Sequence, residues 1–267
     1  MVKKLFKYEI KSYLRVWLPV QIVLLGIALI GRFIQFFEND TTIYDIISGS
    51  SIFMFVVTSM ASFGITVALG VIRFYKNLFT GEGYLTFTLP VTPAQHIITK
   101  VVTAVLFQIA SVIMVILSVC IITSGEMLKE IIKAAAYLFD LAVPYLGANL
   151  GLYIVEFIAL LIISTFSMYM HYYTCISLGQ LFRKNRVLAA VGVYFGFYFV
   201  SQILGTVFGV AITFLETFME KIGLFIQEHI IGFFHGVFCG GMIMSIIGIV
   251  IYFIVIKFVI SRKLNLE

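Results

Sequence analysis

The sequence predicts an all-α polytopic membrane protein with six transmembrane helices, and three observations support this class. Hydrophobic residues make up 61% of the 267 residues and charged residues only 12%, whereas soluble domains carry about 45–50% and about 25%. Five stretches of 25 to 29 residues contain no charged side chain, and about 20 residues suffice to cross a bilayer. Lysine and arginine cluster between alternate stretches. The composition excludes a soluble fold, a disordered chain and, with three cysteines, a disulfide scaffold.

The first fifteen residues are expected to form an amphipathic helix on the inner membrane surface. Phe6, Ile10 and Tyr13 recur at helical spacing. The opposite side carries a basic stripe that begins at Lys4 and Lys7. The alternative is a positively charged flank that only sets the topology.

The charge-free stretches and one further apolar segment define the six spans. The further segment, 16–37, is charged only at Arg32, whose long side chain can reach the headgroups. It is too long for a signal peptide and no small-x-small cleavage site follows, so we expect a retained helix. After the interfacial helix 1–15, the spans of the transmembrane domain 16–260 cover 16–37, 50–72, 98–123, 150–181, 187–215 and 236–260, and the tail covers 261–267.

The distribution of lysine and arginine sets the orientation. With the N-terminus in the cytoplasm, 14 of the 18 cations fall on the inner side and most acidic residues fall outside. Both termini are then cytoplasmic. The basic residues face the anionic lipid of the inner leaflet, so the net charge of +5 requires no nucleic-acid partner.

Two outer connections are amphipathic and are expected to form short helices at the outer interface. They cover 126–139 and 216–228, and they would either gate an exit path or cap the bundle. Small-xxx-small pairs at Gly192/Gly196 and Gly205/Gly209 predict that the fifth span packs on two sides.

One cytoplasmic connection, residues 73–100, is long and contains helix-breaking residues. Gly81 and Gly83 are expected to end the helix that continues inward from the second span. Pro90 then prevents a helix from continuing through Leu89. The chain between these residues is expected to form a short helix or an extended piece.

The same connection ends with a helix-start signal. Thr92 is the expected N-cap, Pro93 occupies the first helical position and Gln95 the third, which together make a capping box. Fixed points at both ends predict a rigid cytoplasmic protrusion, a feature suited to binding another protein.

In this loop the sequence resembles a known family. The string 81–92, GEGYLTFTLPVT, and the tail 262–267, RKLNLE, are similar to the membrane subunit of an ATP-binding-cassette exporter of the type 2 permease family, in the form common in Gram-positive bacteria. In that family the loop between the second and third spans carries a coupling helix that fits a cleft on the ATPase subunit. The resemblance implies a bacterial cell membrane, an ATP-binding-cassette ATPase partner and a second permease subunit.

The resemblance also implies which residues couple to the ATPase subunit. They are the apolar residues of the loop and a few polar or turn residues beside them: Tyr75, Lys76, Leu78, Phe79, Glu82, Tyr84, Leu85, Phe87, Leu89 and Pro90. Apolar area in water costs about 25 cal/mol per Å², so these side chains should contact the partner or else sink into the lipid interface or the bundle. Glu82 is expected to pair with a partner cation or with Lys76.

No motif in the chain indicates chemistry of its own. It has no GxxxxGK[ST] phosphate loop, so it is not expected to be an enzyme by itself, and the partner ATPase would bind ATP and magnesium. The histidines form no HExxH or HxxxH pair, so no metal site is expected. Glu156 and His171 lie about 22 Å apart along one helix and cannot share a site.

Five tyrosines are the candidates for lining a translocation path: Tyr169, Tyr172, Tyr173, Tyr194 and Tyr198. Such a lining suits a peptide, a lipid or an amphipathic drug-like molecule, although tyrosines also pack helix bundles. Six spans are narrow for a path, so we expect two subunits, identical or paralogous. The alternatives are a secondary transporter or channel, which would place several charges near the midplane, and a membrane scaffold or sensor.

The predicted topology is testable by cysteine labelling of intact cells. Single cysteines introduced into 124–145 should react with a membrane-impermeant reagent, whereas cysteines in 73–100 should react only after lysis. Labelling that places 124–145 in the cytoplasm would contradict both the six crossings and the cytoplasmic position of the loop.

Overall fold

The structure, a computed structural model, describes residues 2–37, 42–88, 90–124, 129–134, 136–137, 150–182, 184–213 and 230–262, and these residues are helical except for short turns and connections. The principal helices are α1 (Val2–Gln35), α2 (Thr42–Phe79), α3 (Glu82–Thr88), α4 (Pro93–Ile122), α5 (Leu150–Gly179), α6 (Arg186–Thr213) and α7 (Ile230–Arg262).

Six of these helices, all except α3, are long and apolar enough to cross a membrane. The predicted class, an all-α multi-pass membrane protein, is confirmed to that extent. The helices extend beyond the predicted spans, since α2 begins at Thr42 rather than at residue 50. α1 runs without interruption through Pro19, so residues 2–15 and the first span form one helix. The position of residues 2–15 on the membrane surface stays a prediction.

The loop between α2 and α4 contains the predicted short helix, α3. Gly81 lies in the two-residue gap between the end of α2 at Phe79 and the start of α3. Gly83 lies inside α3, so the expectation that it also breaks a helix is wrong. Its N–H donates to the Thr80 carbonyl at 2.7 Å, and glycine costs a helix only about 1 kcal/mol relative to alanine.

The predicted capping box is present at the start of α4. The Thr92 hydroxyl accepts from the Gln95 N–H at 3.4 Å, and the Gln95 side chain accepts from the Thr92 N–H at 3.0 Å. Pro93 begins the helix. These bonds satisfy backbone donors that a helix N-terminus otherwise leaves open, and they fix the direction in which the chain re-enters the bundle.

The chain divides into two compact units, and the first comprises Met1–Asn77 and Leu85–Leu138. In this unit α1 packs along α4. One apolar cluster joins α1 to both α2 and α4: Leu24, Ala28, Phe55 and Ile122.

Polar side chains join the same three helices one layer away from that cluster. The Gln21 amide donates to the Ser62 hydroxyl at 2.9 Å. The Thr66 and Ser111 hydroxyls lie 2.8 Å apart, and the Trp17 indole N–H donates to Ser111 at 2.6 Å. Such bonds contribute about 0.6 kcal/mol each between membrane helices, and they fix the register of α1, α2 and α4.

The second unit comprises Leu78–Tyr84 and Phe139–Glu267, and in it α5 packs against both α6 and α7. The backbones of α5 and α6 approach closely at one point. A Cβ added to Gly179 would lie 2.6 Å from the Ala190 Cβ and 2.7 Å from the Ala190 Cα and N. Only glycine fits this contact.

The glycine pairs of the fifth span do not make such contacts within the described chain. A Cβ added at Gly192, Gly196 or Gly205 would meet no atom within 4 Å. The expectation that this span packs on two sides within the chain is therefore wrong for these residues. No residue of Arg186–Val207 is buried, so α6 presents apolar side chains around most of its circumference.

The connection between α4 and α5 is helical over residues 129–134, in the segment expected to be amphipathic. Glu130 and Lys133 form an exposed ion pair at 2.9 Å on this helix. The position of the segment at the outer interface stays a prediction. The segment 216–228 and the last tail residues, 263–267, lie outside the described residues.

The close approach at Gly179 predicts a position-specific loss of stability. We expect Gly179→Ala to lower the free energy of unfolding by about 1–3 kcal/mol, the range for over-packing, because the neighbouring atoms belong to a helix backbone. Gly192→Ala is the matched control and should be neutral or slightly stabilising, since its Cβ meets open space. Unfolding in mixed micelles with increasing SDS measures both, and equal stabilities would contradict the contact.

Candidate functional site

A buried ion cluster lies at the base of the 73–100 loop, within the first unit. The Glu9 carboxylate of α1 accepts from Arg73 Nε of α2 at 3.2 Å and from Lys100 Nζ of α4 at 3.3 Å. The Glu9 and Lys100 side chains are 9% and 6% exposed. The cluster therefore joins three helices through a single carboxylate that is almost closed to solvent.

Surrounding side chains complete the cluster. Arg73 also donates from Nη1 to the Ser12 hydroxyl, and its guanidinium lies 5.5 Å from the centre of the Tyr13 ring. Asn77, with its amide oriented to satisfy both polar atoms, donates to the Arg73 carbonyl at 3.0 Å and accepts from Lys100 Nζ at 3.3 Å. The two cations therefore share Glu9, and Asn77 connects Lys100 Nζ to the backbone of α2 at Arg73.

Helical spacing brings these residues together. Each helix contributes a pair of residues that are four positions apart: Glu9 and Tyr13 in α1, Arg73 and Asn77 in α2, and His96 and Lys100 in α4. Residues at this spacing lie on one face of a helix. Each of the three helices thus contributes two neighbouring side chains to the same region.

The cluster borders a small cavity that also reaches the loop. The cavity has a volume of about 60 Å³ and is lined by Leu5, Glu9, Asn77, Thr86, His96, Thr99 and Lys100. This volume holds one or two waters at about 30 Å³ each. Thr86 belongs to α3, so the second half of the loop helix lies beside the ion cluster.

The energetics of the cluster favour rigidity over net stability. Burying a charge costs several kcal/mol, and its partners largely offset that cost. Removing one partner leaves an uncompensated charge and costs about 3–5 kcal/mol. α1, α2 and α4 therefore cannot shift past one another at this level without separating buried charges.

The predicted coupling residues occupy different environments. Leu78 and Phe79 are buried within the chain, Tyr75 is half-buried and Lys76 is exposed. Glu82, Tyr84 and Pro90 are exposed, with Tyr84 at 53%. Leu89 and the side chains of Leu85 and Phe87 lie outside the described residues. Tyr84 is thus the most exposed aromatic side chain that the structure describes in this loop.

The five path tyrosines also separate into two groups, all within the second unit. Tyr172, Tyr194 and Tyr198 line a cavity of about 570 Å³ between α5, α6 and α7. Tyr169 and Tyr173 are buried at 0% and 1% exposure and pack within the unit. His171 projects into the same cavity, and its Nδ1 lies 3.2 Å from the Tyr252 hydroxyl.

The ion cluster was not predicted from the sequence, although its signal was present. The topology argument counts Arg73 and Lys100 as cations on the inner side, where their charges are expected to face lipid headgroups or water. Glu9 is the one acidic residue among the basic residues of the first fifteen. An isolated acid in a basic amphipathic helix indicates a specific partner, because its charge opposes the membrane attraction of its neighbours.

Comparison of the chain with protein-family models, with curated proteins and with solved structures gives no match.

The ion cluster predicts a large effect of a single substitution. Glu9→Ala should lower the free energy of unfolding by about 3–5 kcal/mol, because it leaves the buried Lys100 and the half-buried Arg73 without their carboxylate. Glu130→Ala, which removes an exposed pair with Lys133, is the control and should change it by less than about 1 kcal/mol. SDS-induced unfolding in mixed micelles measures both. Similar small losses would show that the Glu9 contacts do not hold the three helices together.

Proposed function

We propose that this chain is the permease subunit of an ATP-driven transporter of the bacterial cell membrane, an exporter powered by a separate ATPase chain that binds the 73–100 loop. The observation that carries the proposal is the construction of this loop. It contains a short helix between two long ones, a capping box fixes its exit, and its flanking residues Arg73 and Lys100 both bind Glu9.

Coupling requires such a construction because the ATPase acts from the cytoplasm on helices that cross about 30 Å of hydrocarbon. A loop that yields under load would absorb the motion of the ATPase. Arg73 and Lys100 are the first and last residues of the loop, and Glu9 ties both to α1. A displacement of the loop would therefore move α1, α2 and α4 together as levers.

Glu82 and Tyr84 are the residues that we assign to the contact with the ATPase. Both are exposed, and both lie in α3 within three residues of each other. Tyr84 supplies an aromatic side chain of the kind that carries binding energy at protein interfaces. Glu82 supplies a charge that favours a basic partner surface. ATP and magnesium would bind only to the partner ATPase, so the isolated chain would have no ATPase activity.

The second unit would form the translocation path. The cavity lined by Tyr172, Tyr194 and Tyr198 presents hydroxyls on aromatic rings beside apolar side chains. This surface suits a peptide, a lipid or an amphipathic drug-like substrate. A second permease subunit, identical or paralogous, would complete the path, and the open faces at Gly192 and Gly196 of α6 would allow helices to approach closely.

The positions of the buried charges distinguish this proposal from a secondary transporter or channel. Such proteins place ionisable residues near the midplane of the membrane. Glu9, Lys100 and Glu156 are the buried charged residues in the described part of the chain. Each lies within the first eight residues of its helix, which places it near a helix end. A scaffold or sensor would have no ATPase partner, so the experiment below separates it from a permease.

We expect the double variant Glu82→Ala/Tyr84→Ala to insert and fold normally but to lose its ATPase partner. The physical reason is the removal of the exposed charge and aromatic surface of α3 without any change to the buried ion cluster. The control is Glu130→Ala/Tyr137→Ala, which removes the same two residue types from exposed positions on the connection between α4 and α5.

The measurement is affinity purification of the chain from gently solubilised native membranes, followed by assay of ATP hydrolysis. The unmodified chain and the control should recover a nucleotide-binding chain with ATPase activity, and the loop variant should not. Full recovery with the loop variant would show that α3 is not the coupling element. Recovery of no ATPase by any of the three proteins would count against a permease.

A further inference from the structure

Three side chains able to bind a metal converge near the first turns of α5 and α7, within the second unit. Glu156 comes from α5, and His235 and Cys239 come from α7. Their potential ligand atoms all lie within 4.8 Å of one another. His235 Nδ1 lies 2.5 Å from Glu156 Oε1, and Cys239 Sγ lies 3.7 Å from His235 Nε2.

The local helix geometry explains the convergence. His235 and Cys239 are four residues apart and share one face of α7. The ring of Phe238 lies 6.3 Å from the ring of Tyr153 and 6.1 Å from that of Phe157 on α5. These aromatic contacts hold α5 and α7 in register at the level of Glu156, so the three ligand side chains are positioned by helix packing rather than by a loop.

Glu156 gives an independent indication of a missing ligand. The residue is only 9% exposed, and its Oε2 has no hydrogen-bond partner among the residues that the structure describes. A buried carboxylate oxygen without a partner is costly. A bound cation would satisfy this oxygen and would also explain why a carboxylate is kept beside a histidine and a thiol.

We propose that Glu156, His235 and Cys239 bind a divalent transition-metal ion, for which zinc is the best fit. The set of one nitrogen, one sulfur and one oxygen donor matches the ligands that zinc takes in proteins, whereas calcium and magnesium require oxygen donors. Three protein ligands leave the fourth tetrahedral position to water or to another molecule. The inference does not depend on the proposed permease function.

The distances fit this assignment after a small movement of side chains. Zinc binds nitrogen at about 2.0–2.1 Å and sulfur at about 2.3 Å, so a tetrahedral ion separates these two atoms by about 3.6 Å. With Nδ1, the nitrogen that faces Glu156, as the ligand atom, its distance of 3.9 Å to Cys239 Sγ lies close to this value. The contact between Glu156 and His235 would open by about 1 Å to admit the ion, since nitrogen and oxygen ligands lie about 3.4 Å apart around zinc.

The site is accessible to an ion from outside the bundle. The His235 side chain is 51% exposed, whereas that of Glu156 is 11% exposed. In the predicted topology both helix ends face the outer side of the membrane. Metal binding would link α5 to α7, so the stability of the folded state should rise with the logarithm of the free-ion concentration once that concentration exceeds the Kd.

The experiment uses the purified full-length chain in detergent micelles with its thiols reduced. Titration with Co²⁺, a spectroscopic probe for zinc sites, should give one ion per chain with a thiolate-to-metal absorption band and tetrahedral visible bands. Zn²⁺ should displace Co²⁺ and raise the midpoint of thermal unfolding. Cys239→Ser should abolish the thiolate band, and His235→Gln and Glu156→Gln should weaken binding by at least about 100-fold, since even outer partners contribute about 10–100-fold.

The chain offers a matched control in a second cysteine–histidine pair. Cys175 Sγ lies 3.7 Å from His171 Nε2 at the same four-residue spacing, and no carboxylate of the described residues joins this pair. Cys175→Ser should keep the full Co²⁺ spectrum. Size-exclusion profiles identify variants that fail to fold, and Cys239→Ala serves as a second variant at the thiol. The proposal is overturned if the folded chain binds no stoichiometric Co²⁺, or if the thiolate band survives in Cys239→Ser.

Discussion

A single buried carboxylate, Glu9, links three helices whose apolar contacts alone do little to fix their register in a membrane. Membrane helices gain little from hydrophobic contact with one another, because lipid is as apolar as the neighbouring helix. Charges that must remain together therefore fix the relative positions of α1, α2 and α4 more firmly than apolar packing does. The hydroxyl and amide bonds around Ser111 extend the same constraint deeper into the unit.

This constraint holds both ends of the loop between α2 and α4 in place. A seven-residue helix alone is too short to be stable in water, so α3 needs fixed ends. The helix α2 supplies one end, and the Thr92 capping box supplies the other. Because Arg73 and Lys100 share Glu9, both ends are anchored to one point of α1. The proposed coupling function depends on that common anchor as well as on the exposed residues of α3.

In its described residues, the second unit packs its helices together without a buried ion cluster of the kind that Glu9 forms in the first. Its described helices meet through a tight glycine contact at Gly179 and through aromatic rings, and α6 is exposed around most of its circumference over Arg186–Val207. No residue of Arg186–Val207 is buried, so this part of α6 contributes little to a core of its own chain and leaves apolar surface open to lipid. Among the described residues of this unit, polar groups gather at the cavity around His171 and at the Glu156 cluster, where α5 meets its neighbours.

The amino-acid sequence by itself determined the helical class, the six spans and the positions where helices end and begin in the loop. These features depend on hydropathy, chain length and short-range capping, which act within about 20 residues. Which charges pair was decided only by the tertiary structure. Glu9 meets Arg73 and Lys100 across 64 and 91 residues, and Glu156 meets His235 across another long interval. Coulomb attraction depends on distance in space, and no spacing along the chain records it.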